Sequence, residues 1–275
     1  MAINRQQSMS RHIKTSLNIS TYNWPQALNL CLLSVMAQRV LPDEVIIGDD
    51  GSTDETKALI DKFKNEFPVP LIHVWQPDEG FQLARIRNKA IAASTGDYVI
   101  QIDGDLILHP DFIADHVDFA KKGSFVTGSR VMLKEGLSAR LLKSESIKIN
   151  LFSGEIKNKS NGYRIKFLRN YMERYRADDI YYMRGCNMAF WRHDLLQING
   201  YNEALTGWGR EDNEIAIRLV NSGIKKRSLK FGAITYHIYH PENKKERLQV
   251  NQDILDEAIR AKTTRCENGA DQYLK

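Results

Sequence analysis

Tyr98-Val99-Ile100-Gln101-Ile102-Asp103-Gly104-Asp105 is a β-branched, apolar run that ends abruptly in two carboxylates one residue apart. Such a run reads as a buried strand. It delivers its acidic side chains at the carboxyl end, where open α/β sheets place their ligands. Gly104 would let the backbone turn so that Asp103 and Asp105 approach one cation. Hard divalent ions such as Mg2+ or Mn2+ take oxygen ligands, usually one or two carboxylates together with substrate phosphates. Asp and Gly are also ordinary turn residues, so this triplet gains its meaning from the chain around it.

Upstream, residues 14–20 alternate like a strand and run into the polar turn Thr21-Tyr22-Asn23. Pro25 then opens a helix whose apolar residues Leu28, Cys31, Leu32 and Val35 recur at helical spacing. A second strand, 45–48, ends at Asp49-Asp50-Gly51-Ser52, and Thr53 or Asp54 can cap a helix over 55–65. A third strand, 71–75, leads through the turn 77–80 into a basic helix over 82–95. Strands alternating with helices of about ten residues imply a mainly parallel, doubly wound sheet with flanking helices, an α/β fold of the Rossmann-like kind.

Residues 131–180 break this rhythm. They are rich in Lys and Arg and interrupted by Gly136, Gly154 and Gly162. They read either as a substrate-facing insertion with mobile parts or as a solvated surface excursion. Order returns from Tyr182 with 183–190, a turn at Gly200-Tyr201-Asn202-Glu203, the segment Gly207-Trp208-Gly209-Arg210-Glu211-Asp212, a helix over 213–222, and 234–240. The tail after Pro241 is polar and reads as helical. The expected organisation is one domain: a nucleotide-binding half (12–130), the insertion (131–180), an acceptor or catalytic half (181–240) and a tail (241–275).

The 275 residues are 42% hydrophobic and 27% charged, a globular composition with room for one large α/β domain. The first eight residues lack an apolar core, so no secretory leader is expected. The apolar stretch 27–40 is broken by Asn29, Ser34, Gln38 and Arg39 and is too short to span a bilayer. Cys31, Cys186 and Cys266 are scattered and without metal-ligand spacing, which fits a reducing, cytoplasmic setting. The formal charge of +5 permits anionic partners without naming one; no nucleic-acid-binding motif is present, and no nucleic-acid partner is expected.

Ser20-Thr21-Tyr22-Asn23, Asp49-Asp50-Gly51-Ser52-Thr53-Asp54 and Asp103-Gly104-Asp105 resemble, in that order, the motifs of glycosyltransferase family 2, nucleotide-sugar enzymes with the GT-A fold. Residues 200–214 are similar to the galactosyltransferase-type motif of β-1,4-galactosyltransferases and bacterial chondroitin-type polymerases. The resemblance spans roughly 13–240. It implies that Asp50, rather than Asp49, accepts the N3–H of a uracil, with Ser20 and Tyr22 lining the base pocket. Of Arg85 and Arg87, two apart on a helix and therefore on different faces, it favours Arg87 as the donor contact. It makes Asp105 the direct ligand of Mn2+ or Mg2+, with Asp103 on the ribose or the ion's water shell. His237 becomes the further protein ligand, and His240 a weaker candidate. Asp212 would be the general base for the acceptor hydroxyl, Glu211 a sugar-binding neighbour, and Trp208 an apolar face against a sugar or a lid over the donor. Arg210 stands where the compared galactosyltransferases carry Gly, which bears on hinge mobility. Residues 183–188 would floor the donor-sugar site, with Asn187 a candidate hydroxyl contact, or would simply form a buried strand.

One base without a second, nucleophilic carboxylate implies single displacement with inversion. The implied activity is transfer of a hexose or N-acetylhexosamine from a UDP-sugar to a glycan or lipid-linked glycan, in surface polysaccharide synthesis. The setting would be cytoplasmic, with peripheral contact to the inner face of the membrane through the basic insertion. A catalytically inactive UDP-sugar-binding subunit is the alternative. A nucleotidyltransferase also needs carboxylates and a metal, but has little use for the Trp208–Asp212 segment.

Overall fold

A computed structural model describes residues 12–241 and 245–274. Residues 1–11, read above for a leader, and part of the tail lie outside them. The first half winds as expected: β1 (Thr15–Thr21), α1 (Pro25–Met36), β2 (Glu44–Asp49), α2 (Asp54–Lys64), β3 (Leu71–Trp75), α3 (Leu83–Ala93) and β4 (Tyr98–Asp103). Then follow β5 (Leu106–Leu108), α4 (Phe112–Phe119), β6 (Ser124–Gly128), β7 (Val131–Leu133), α5 (Glu135–Ser144), β8 (Ile156–Lys157) and α6 (Lys166–Tyr171). The chain continues through β9 (Asn187–Trp191), α7 (Arg192–Gln197), α8 (Glu211–Asn221), β10 (Lys225–Leu229), β11 (Thr235–His237) and α9 (Leu248–Arg260). It ends in a 3-10 turn at Ala270–Tyr273.

Seven strands form the main sheet in the order β10-β6-β9-β4-β1-β2-β3. β1, β2, β3 and β4 are mutually parallel, and β9 runs antiparallel between β4 and β6. Buried Leu17, Ile19, Val45, Ile47, Ile100 and Ile102 pack with Leu28, Leu32 and Val35 of α1 into the largest core cluster. Because β2 and β4 lie on opposite sides of β1, the chain reverses its winding there, and the crevice beyond the carboxyl ends of these strands is the natural ligand position. The β1 register sets Ser20 beside Asp103 and Thr21 beside Asp49.

A smaller sheet, β5-β11-β7-β8, lies beyond β4. His237 pairs with Leu106 across the antiparallel β5–β11 ladder, which brings Asp105 to the same corner. Gly104 is needed here for its size: a Cβ would come 3.2 Å from the Ser20 carbonyl oxygen and 3.3 Å from Thr21.

Within 131–180 the chain forms β7, α5, β8 and α6. Arg169 of α6 is 2% exposed and reaches Asp115 and Asp118 of α4. The Lys and Arg that made the segment look solvated include an anchoring guanidinium, which composition alone hides. α8 begins at Glu211, two residues earlier than its periodicity indicated.

Candidate active site

The strand ends bring most of the sequence candidates to the carboxyl edge of the main sheet. At the β2 end, Asp49 is committed to the scaffold: one oxygen accepts from the Ser52 backbone N–H (2.8 Å), and the other faces His73 Nε2 (3.0 Å). Asp50 turns the other way, accepting from Gln76 Nε2 (2.6 Å) and the Gln82 backbone N–H (2.9 Å). Burial pushes its carboxyl up to about 6, although both hydrogen bonds oppose this. Tyr22 is half exposed beside it and donates its hydroxyl to Asp78 (2.9 Å). Ser20 fixes the floor by accepting the Gly104 N–H through its carbonyl (2.8 Å).

The second corner holds Asp105, His237 and His240, whose ligand atoms all lie within 4.8 Å of one another. Asp105 Oδ2 is 3.3 Å from His237 Nε2 and 3.1 Å from His240 Nε2. Burial pushes the Asp105 carboxyl up, but the two imidazoles outweigh it and hold the group below its usual range. Burial lowers His237, whereas the hydrogen bond to Asp105 raises His240. Asp105 Oδ1 and His237 Nδ1 are buried with no hydrogen-bond partner. Orphaned donors and acceptors of this kind are costly unless something completes them. Two imidazoles and a carboxylate are ordinary ligands of a divalent transition ion, so the residues present fit one. His240, the weaker candidate from sequence, stands on equal footing with His237 because β11 ends between them.

Arg87 of α3, 3% exposed, joins this corner to the next. Nη2 donates to Asp103 Oδ1 (3.1 Å) and Nη1 to Asp212 Oδ1 (2.8 Å). Both terminal nitrogens are therefore engaged with protein carboxylates. Arg85 points outward to Glu79 and does not join the cleft. Burial raises the Asp103 carboxyl against the pull of Arg87. Asp212 lies against the Gly185 backbone, where any Cβ would collide with its carboxylate. Next to it, Glu211 is pushed up to about 7 by burial and by the charge of Asp212, and its Oε2 is buried without a partner. Glu211 and Asp212 open α8, where the helix dipole favours negative charge.

The segment before α8 crosses the cleft mouth. Gly207 donates its N–H to the Phe81 carbonyl (3.0 Å), and Trp208 is 37% exposed with Lys245 Nζ 5.4 Å from its ring. Arg210 has φ +76°, a left-handed conformation that favours glycine. Arg210 thus takes a backbone conformation that glycine adopts more readily. From α9, fully buried Asn251 donates to the Thr206 and Gly209 carbonyls (3.1 and 2.8 Å).

Asn187 is corrected. It is fully buried, its Nδ2 donates to the Ser129 and Ala233 carbonyls, and its Oδ1 faces His116 Nε2. It ties sheets together and has nothing left for a sugar hydroxyl. Sequence reasoning also passed over Gln76 and Asp78, which hold Asp50 and Tyr22 and lie at the third-strand turn, and Asn251, which sits in a segment with no motif.

The fold and this grouping of carboxylates, imidazoles and a bridging guanidinium beyond the strand ends define a GT-A glycosyltransferase. The chain belongs to glycosyl transferase family 2, whose sequence pattern it matches over residues 16–196. Residues 162–241 match a second family, described as the N-terminal domain of galactosyltransferase, so that match reaches into the segment set apart as an insertion. The chain is 30% identical over 246 residues to chondroitin synthase from Escherichia coli, covering 84% of this chain and 35% of the relative. It is 26% identical over 273 residues to hyaluronan synthase from Pasteurella multocida, covering 90% and 27%. It thus spans about a third of the length of these relatives. Among solved structures, a mannosyltransferase from Pyrobaculum calidifontis in complex with GDP-Man and Mn2+ superposes with TM-score 0.61 at 18% identity, covering 91% of this chain and 65% of that one. TarS from S. aureus in complex with UDP-GlcNAc gives 0.63 at 14%, covering 95% and 69%. Among the described residues no helix is long and apolar enough to cross a membrane.

Proposed function

We propose that this chain is an inverting, divalent-metal-dependent glycosyltransferase that moves a hexose or N-acetylhexosamine from a UDP-sugar to a hydroxyl of a glycan or glycolipid. The carrying observation is the cluster Asp105, His237 and His240, with its partnerless Asp105 Oδ1, in the same cleft as Asp212 and Glu211. Two imidazoles favour a transition ion such as Mn2+ over Mg2+, which prefers oxygen throughout. Asp105, His237 and His240 would hold the ion, which would supply positive charge to the departing diphosphate. The relatives named as chondroitin and hyaluronan synthases, and the neighbours holding nucleotide sugars, support this class of donor and a polysaccharide acceptor.

The chain's own residues divide the work. Asp50 accepts the uracil N3–H, and Tyr22 packs on the base. Asp103 contacts the ribose side of the donor, with Arg87 holding its carboxylate in position. Glu211, with one buried oxygen unpartnered, hydrogen-bonds a sugar hydroxyl. Asp212 takes the proton of the acceptor hydroxyl, whose oxygen attacks the anomeric carbon from the face opposite the diphosphate. The carbon–oxygen bond to the diphosphate breaks, its electron pair leaves with UDP, and an α-linked donor yields a β-glycoside. Gly185 under Asp212 and Arg87 beside it keep the base in place for that attack. Release of UDP from a panel of UDP-sugars with Mn2+, Mg2+ or EDTA tests the reading. Metal-dependent turnover of one donor is expected; UDP binding without turnover on any donor and acceptor would favour an inactive binding subunit, and no UDP binding would overturn the reading.

A further inference from the structure

Between the metal corner and Asp212 lies a cation that the proposed chemistry has not used. Arg130 follows β6 in the link to β7, and its backbone is fixed on several sides. Asn161 Nδ2 donates to its carbonyl (2.9 Å), and the preceding carbonyl, of Ser129, accepts from Asn187 Nδ2 and Thr235 Oγ1 (3.0 and 3.2 Å). Parallel pairing sets Val131 beside Tyr236 and Met132 beside His237, so Arg130 enters the cleft from the strand next to the imidazoles. Its Nη1 contacts Cys186 Sγ at 3.8 Å. The residue before Cys186 is Gly185, on which Asp212 rests. Arg130 is thus tied by neighbouring residues both to His237 and to the base.

Unlike the fully buried guanidiniums, this one has no carboxylate partner among the described residues. Arg87, Arg169 and Arg218 are all buried, and each neutralises a carboxylate of the protein. Arg130 is half-buried and makes no ion pair with any described carboxylate, and its one described side-chain hydrogen bond is to a thiol. Burial works against its charge, while Cys186, Asp103 and Asp105 hold the charge on. Asp103 and Asp105 act on it through space without a hydrogen bond, which leaves its planar fork of donors to match phosphate oxygens.

We propose that Arg130 is a second cationic contact for the donor's diphosphate, sharing that anion with the Asp105, His237 and His240 corner. The inference rests on the UDP-sugar reading above and adds a residue that binds the leaving group directly. A sugar carboxylate would offer similar chemistry, but it would make Arg130 a reader of the transferred sugar instead of the nucleotide.

The test is equilibrium binding of UDP and of uridine, each with Mn2+, to the wild type, Arg130→Gln and Arg130→Lys, with melting temperatures recorded alongside. A charged hydrogen bond lost to a diphosphate predicts UDP affinity lower by roughly ten- to a hundredfold in Arg130→Gln. Uridine affinity should be unchanged, and Arg130→Lys should retain part of the UDP affinity. Unchanged UDP affinity in Arg130→Gln would overturn the proposal. So would equal losses for UDP and uridine with a lowered melting temperature, which mark a structural role. A loss confined to a UDP-hexuronate, with UDP unaffected, would replace the diphosphate by a sugar carboxylate and also overturn it. If wild type binds no UDP, the donor reading itself fails and this inference falls with it; a defect confined to the variants leaves that reading standing.

Discussion

At one end of the cleft, Asp105 faces two imidazoles and keeps a buried oxygen without a partner. At the other, Asp212 is already paired with Arg87, 2.8 Å away. The first corner is unfinished until something with positive charge and open coordination enters it. The second is held by the protein's own cation before any ligand arrives. Under the proposed function this difference gives them different work: the metal corner gains its stabilisation from the donor complex, while the base is held in advance and only Glu211 Oε2 beside it waits for a partner.

The contrast can be broken most severely at the metal corner. Asp105→Ala removes the only carboxylate of the three-residue cluster. Transfer should fall on the order of 10³–10⁴-fold, and UDP binding should lose its dependence on Mn2+. Metal-dependent UDP binding persisting in the variant would move the ion elsewhere. At the base corner, Asp212→Asn keeps an oxygen for Arg87 but cannot take a proton. Turnover should fall roughly 10²–10⁴-fold at saturating donor and acceptor, and near-wild-type turnover would remove Asp212 from its role.

The bridge between the corners gives a smaller, structural effect. Arg87→Met conserves bulk but leaves buried Glu211 and partly buried Asp103 and Asp212 clustered without their guanidinium. Unfolding by denaturant should show a loss of about 3 kcal/mol; a neutral result would mean the ion pairs only offset their desolvation.

The smallest effect runs the other way, at the base pocket. The Asp50 carboxyl, pushed by burial from its ordinary value of 3.8 to about 6, favours folding at low pH. That contribution is lost as pH rises from about 4 through about 6. Asp50→Asn removes the ionising group, and Gln76 can reverse its amide so that its buried, unpartnered Oε1 accepts from the new side chain. The variant should be more stable than wild type by about 1–3 kcal/mol at pH 8, with the gain vanishing below pH 4, while uridine binding weakens. Equal stability across the range would show that the Asp50 ionisation is not strained.

The parts of this account legible in the sequence are those where local pattern and ligand position coincide. The run 98–105 gave both a strand and its carboxylates, and the turns after β1 and β2 placed Ser20, Tyr22 and Asp50 because parallel strands end on one side. The closeness of His237 and His240 to Asp105 was not legible locally, because it depends on the β5–β11 pairing across more than a hundred residues. Arg169 and Arg130 were lost inside a basic composition: nothing local separates a guanidinium that anchors α6, or one that enters the cleft, from one in solvent. Asn187 misled for the opposite reason, since it adjoined a motif but spends its amide on carbonyls from two other segments.

The most direct test of this division of labour is one UDP titration, with Mn2+ and with EDTA, on wild type, Asp105→Ala and Asp212→Asn. The account predicts Mn2+-dependent binding that is nearly intact in Asp212→Asn and lost in Asp105→Ala. Comparable losses in the two variants would contradict it, because both corners would then be holding the nucleotide.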